Sequence, residues 1–136
     1  MNRKAILCVE DEAIILMHLV MILEARYSPR YTLLSSPNAA RALEIIDNLA
    51  EEGIELLVIV SDWLMPGMMG DEFLLAVSQR APRIKAILVS GKTDAQSLDR
   101  LFKQTSLVGF LPKPLVKEKL FSMIDQVIAE DEAIPV

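Results

Sequence analysis

The 136 residues are enough for one domain with a buried core, and 52% hydrophobic against 24% charged residues excludes a disordered chain. A net charge of −5 argues against a nucleic-acid groove lined with Lys and Arg. The single cysteine, Cys8, has no internal disulfide partner, which points to a reducing, cytoplasmic setting, and its place in the apolar run 5–9 predicts an inert core thiol.

In chain order, residues 5–9 predict a buried strand that ends in Glu10, Asp11 and Glu12. Ile14 to Leu23 follows, almost wholly apolar. Acids rather than basic residues precede it and it is too short to span a bilayer, so it predicts a helix and neither a signal peptide nor membrane insertion. On this helix Ile15, Leu19, Ile22 and Leu23 fit one face toward a sheet, which leaves Met17, Val20 and Met21 elsewhere and predicts a contact surface for a kinase or a second copy. His18, mid-helix among apolar residues, reads as structural rather than as a phosphotransfer histidine.

Tyr31 to Leu34 is a weaker strand, and Ser36-Pro37 opens a helix over Ala39 to Leu49, with Ser as its cap and Pro in its first turn. Residues 56–60 predict a strand that delivers Asp62 to its end, with Pro66 and Gly67 breaking the chain behind it. Trp63 is expected as a partly exposed aromatic. The strand 86–89 ends at Ser90, and Leu98, Leu101 and Phe102 follow at helical spacing. The strand 107–111 leads to Lys113 between two prolines, and Leu120, Ile124, Val127 and Ile128 mark the last helix. The expected domain spans 1–129, and 130–136 reads as an acidic, flexible tail.

Strand and helix alternating five times predict a doubly wound α/β fold with a parallel sheet, whose ligands sit beyond the carboxyl ends of the strands. Glu10, Asp11, Asp62, Ser90 and Lys113 all fall there. Clustered carboxylates repel unless a cation relieves them, and hard oxygen donors with open positions suit Mg²⁺. Lys113 and Ser90 suit an anion, so the expected guest is a phosphoryl group with Asp62 as its nucleophile. Ser90-Gly91-Lys92-Thr93 imitates the end of a P-loop, but Ala86 stands where that motif needs its first glycine, and 86–89 is strand.

Val9-Glu10-Asp11, Ser61-Asp62 with Met65-Pro66-Gly67, Ser90-Gly91 and Lys113-Pro114 together resemble the receiver domain of bacterial two-component response regulators, from about residue 4 to 129. The resemblance implies a flavodoxin-like fold of five strands and five helices, and a signalling switch rather than an enzyme with turnover. By it Asp62 is the phosphoacceptor and Mg²⁺ is held by Glu10, Asp11, Asp62 and the main-chain carbonyl of Leu64. Ser90 and Lys113 grip the phosphoryl oxygens, and Phe110 takes the aromatic switch position. Leu64 and Lys92 flank the route of the attacking water.

Four positions depart from the commoner family pattern: Glu10 for Asp, Met69 for Asp, Ser90 for Thr and Phe110 for Tyr. The implied partners are a histidine kinase or phosphotransfer protein and a downstream protein target, with no direct nucleic-acid contact, and a homodimer is open. With no room for an output domain, the reading is a stand-alone receiver or phosphorelay intermediate. A pseudo-receiver that binds constitutively, and a metal-dependent phosphatase, are the competing readings. The second lacks an acid two residues after Asp62, where Leu64 stands.

Overall fold

Five strands and five helices alternate along residues 3–91 and 95–133, which the computed structural model describes. They run β1 (Lys4–Val9), α1 (Ala13–Tyr27), β2 (Thr32–Ser36), α2 (Ala39–Glu52), β3 (Glu55–Asp62), α3 (Gly70–Arg80), β4 (Lys85–Ser90), α4 (Ala95–Gln104), β5 (Leu107–Pro112) and α5 (Lys117–Glu132). The sheet is parallel, ordered β2-β1-β3-β4-β5. The central strands β1, β3 and β4 are apolar on both faces because helices cover both sides. The edge strand β5 alternates, burying Leu107, Gly109 and Leu111 and exposing Val108.

Each face has its own core. Leu7, Val9, Ile59 and Leu88 pack with Leu43 and Ile46 of α2, Phe73 and Val77 of α3, and Leu101 of α4. Ile6, Cys8, Val58, Val60 and Ile87 pack with Leu19 and Leu23 of α1 and Leu120, Ile124, Val127 and Ile128 of α5. Cys8 is buried and unpaired, as its apolar run predicts. Burial pushes its thiol up to about 12, so it stays protonated at neutral pH.

Several expectations change at this level. Ser36 does not cap α2: it is the last residue of β2, buried, and its hydroxyl donates to the main-chain oxygen of Asn38. Asn38 is the cap, its side-chain oxygen accepting from the Arg41 N–H at 2.8 Å. On α1 the buried stripe is Leu19, Leu23 and Tyr27. Ile15 would extend that stripe by one turn, but it is exposed and walls the cleft at the strand ends. Met17 and Met21 are exposed and Val20 is half-buried. On α4 Leu101 is buried and Phe102, its neighbour, faces solvent.

The chain is helical past residue 129. α5 continues to Glu132, where Lys4 pairs with Asp131 and Arg30 with Glu132. Above these pairs an aromatic brace ties α1 to α5. The Tyr27 hydroxyl donates to Asp125 Oδ1 at 2.8 Å, its ring meets Phe121 edge-on at 6.2 Å, and Arg26 lies 4.7 Å over the Phe121 ring. The last part of the expected tail, 134–136, lies outside the described residues.

Candidate functional site

The order β2-β1-β3 places a switch point between β1 and β3, where consecutive connections leave toward opposite faces and a crevice opens at the strand ends. β1 carries Glu10 and Asp11 just past its end, and β3 carries Asp62 as its last residue. Glu10 and Asp62 are buried, Asp11 is exposed, and ligand oxygens of all three lie within 4.8 Å of one another. From β5, Lys113 Nζ donates to Glu10 Oε1 at 3.1 Å and to Asp62 Oδ2 at 3.0 Å. Ser90 ends β4, fully buried, and its main-chain oxygen accepts from the Lys113 N–H at 3.0 Å, which fixes the lysine's loop to the strand beside it.

Among the described residues, Lys113 is the cation that meets this acid cluster. Burial, then the neighbouring Asp11 carboxyl, raise Glu10 from its ordinary 4.5 to about 7, against the lowering effects of the Glu12 N–H and Lys113, with Asp62 adding to the rise. Burial alone would lower Lys113, but its hydrogen bonds to Asp62 and Glu10 outweigh this and raise it, so the ammonium stays charged. An anionic cluster under-compensated in this way, built of hard oxygen donors and open to solvent at Asp11, fits a divalent cation such as Mg²⁺.

Two features were not legible beforehand. The Trp63 N–H donates to Asp62 Oδ1 at 2.7 Å, so both carboxylate oxygens of Asp62 are held. Trp63 itself is buried at 7% exposure, not partly exposed, because the chain turns back after β3 and brings the indole into the core cluster that includes Met65, Phe73 and Leu74. The turn closes through the Gly70 N–H on the Trp63 oxygen at 2.7 Å. A Cβ on Gly70 would stand 2.9 Å from the Asp62 oxygen and 2.9 Å from Trp63 Cα. The signal was present: glycine is a poor residue with which to open a helix, so its place there needs a packing reason.

The remaining expected positions fall around this centre. The Leu64 side chain is half-exposed two residues beyond Asp62, and Phe110 is half-buried on β5, packed against the α2–α4 face core. Glu12 sits at the N-cap of α1 with no side-chain cap, its N–H donating to Glu10 Oε2 at 3.3 Å. Lys92 and Thr93 lie outside the described residues. A cavity of about 380 Å³ opens beside the acids, walled by Ile14, Ile15, His18 and Leu19 of α1 and by Pro114 and Leu115.

Comparison with known proteins gives the same frame. The response regulator receiver domain model matches residues 6–125. The sensor kinase CckA of Brucella abortus (strain 2308) is 32% identical over 127 residues, 93% of this chain and 13% of that protein. The hydrogenase transcriptional regulatory protein HoxA of Cupriavidus necator is 31% identical over 99 residues, 73% of this chain and 19% of that one. The chain therefore spans less than a fifth of the length of these relatives. A CheY-like response regulator receiver domain protein from Methanospirillum hungatei JF-1 superposes with a TM-score of 0.83 at 24% identity, over 96% of this chain and 98% of that one. The signal receiver domain of an HD domain-containing protein from Pseudomonas fluorescens Pf-5 gives 0.82 at 23%, over 98% and 100%. With the sheet order, the acids at the switch point and this family match all in register, the chain belongs to the response regulator receiver domain family.

Proposed function

We propose that the chain is a phosphorylation-dependent switch of a two-component system that takes a phosphoryl group on Asp62. The observation that carries this is the setting of that carboxylate: buried, oriented through both oxygens by Lys113 and the Trp63 N–H, and beside two further acids. The orientation leaves the carboxylate pre-aimed for in-line attack. Glu10, Asp11, Asp62 and the Leu64 carbonyl would hold Mg²⁺, which supplies charge neutralisation for the phosphoryl oxygens.

The reaction breaks the N–P bond of a kinase phosphohistidine and forms an O–P bond at Asp62, leaving the histidine its nitrogen lone pair. Lys113 then exchanges its bond to Asp62 for one to a phosphoryl oxygen, and the Ser90 hydroxyl donates to another. That draws β4 and β5 toward the site and biases two states of the α4–β5–α5 face, where Phe110 sits. Signal passes onward through protein contacts, with a histidine kinase or phosphotransfer protein upstream. Leu64, an apolar residue where a phosphatase would place a second acid, supports a switch over a turnover enzyme.

Intact mass after incubation with Mg²⁺ and acetyl phosphate tests the reading. One phosphoryl adduct is expected, absent in Asp62→Asn and in the presence of a chelator. A folded wild-type chain that binds Mg²⁺ but shows no adduct under rapid quench points instead to a constitutive interaction module. Steady release of phosphate from a phosphomonoester would make it a phosphatase.

A further inference from the structure

The cleft beside Asp62 is apolar away from its acids. Its cavity of about 380 Å³ is walled by Ile14, Ile15 and Leu19 of α1, by Val89 of β4, and by Pro114 and Leu115 between β5 and α5. Glu10, Asp62 and Lys113 line the same cavity, so the apolar walls and the candidate phosphoacceptor share one space. A phosphoryl group engages the charged end and leaves the apolar walls without a use. The volume is within the range of small-molecule sites, where apolar walls surround a few polar groups.

We propose that these walls hold the acyl group of a small-molecule phosphodonor, so that the site favours short-chain acyl phosphates larger than acetyl phosphate, such as butyryl phosphate. The proposal rests on Asp62 as the phosphoacceptor and deepens that reading. The chemistry selects this class of donor. A carboxylate oxygen of Asp62 forms a bond to phosphorus, and the bond from phosphorus to the donor's anhydride oxygen breaks. The electron pair leaves with the acyl carboxylate, which is stable as the anion at neutral pH and needs no proton. One mixed anhydride is exchanged for another, with no oxidant or reductant. A phosphate ester would instead expel an alkoxide, which must be protonated. The donor's carbonyl oxygen would be costly to bury unpaired among apolar walls. Lys113 and His18 both line the cavity as donors, and the imidazole carries an N–H in either protonation state.

Initial rates of adduct formation, followed by intact mass over a range of donor concentrations in Mg²⁺, test the proposal. Acetyl and butyryl phosphate carry the same anhydride bond and differ by two methylenes. Apolar contact with the acyl chain is made equally before and during transfer, so it lowers KM and leaves the limiting rate unchanged. At the usual gain per buried methylene, KM should be about tenfold lower for butyryl phosphate. Ile15→Trp, at a position 38% exposed, fills the cavity from its wall and should bring the ratio of the two KM values back toward one. Leu115→Ala strips contact from the other wall and should lower the ratio in the same direction. Equal KM values, or a preference that survives in both variants, overturn the assignment of the cavity and leave Asp62 as the acceptor. No adduct from either donor overturns the role of Asp62 and this proposal with it.

Discussion

Glu10 pays for the crowding of carboxylates around it. Its carboxyl is held up at about 7 chiefly by burial, so at neutral pH the metal-free site carries an ionised group that the fold disfavours. Glu10→Gln removes that cost while keeping the side chain's shape. The metal-free variant should melt roughly 5 °C higher, and its Mg²⁺ affinity should fall about tenfold, read by Trp63 fluorescence during titration. Gly70 makes the opposite point. A methyl there meets main-chain atoms of Asp62 and Trp63, which cannot swing aside, so Gly70→Ala should cost about 1–3 kcal/mol and slow phosphorylation from acetyl phosphate. Gly109→Ala is its control: the new Cβ would meet only the Met123 side chain, whose thioether can turn away. If both variants lost equal activity, close approach at Gly70 would not be the reason for its glycine.

Among the elements, α1 was the hardest to orient from sequence. An apolar residue stands at almost every position from Ala13 to Leu23, so periodicity could not separate the buried stripe from the exposed one. The i, i+4 series Leu19, Leu23, Tyr27 is set instead by the brace to α5, through Tyr27, Asp125 and Phe121. These residues are far apart in sequence and only the packed fold relates them. Tyr27→Phe keeps the ring contacts and removes the hydroxyl from Asp125. It should lower stability by about 1 kcal/mol in urea, with phosphorylation unchanged. By contrast α5 was read correctly at all four buried positions, because Ser122 and Asp125-Gln126 break its apolar residues into short groups at helical spacing.

At the scale of the molecule, topology and the acid cluster were legible because each rests on a local signal: short Val- and Ile-rich runs for the strands, and polar residues at their carboxyl ends. What escaped were main-chain contacts, the Trp63 N–H on Asp62 and the Gly70 approach, which leave little trace in side-chain chemistry. The departure at Trp63 has the same origin, a chain reversal that no periodicity encodes. Global stability should show the site's charge. Between pH 4.5 and about 7 the folded chain keeps a proton on Glu10 that the unfolded chain has released, so stability without metal declines as pH rises through that window. Asp125 has the other sign. Burial opposes its ionisation, but hydrogen bonds from Arg26 and Tyr27 outweigh this and hold its pKa below 3.8. Its contribution is present above that value and is lost as pH falls below it. Urea midpoints from pH 3 to 8 in chelator check both signs. The neutral-side decline should vanish in Glu10→Gln and on adding Mg²⁺, and its persistence in the variant would place its source elsewhere.

The pairing of Lys4 with Asp131 brings the start of the first strand and the end of the last helix together, at the pole opposite Asp62. Such a module can be spliced into a larger polypeptide like a cassette, with entry and exit side by side and the working pole left facing outward. Flanking sequence then needs no long linker, and little loop-closure entropy is lost in bridging the two ends.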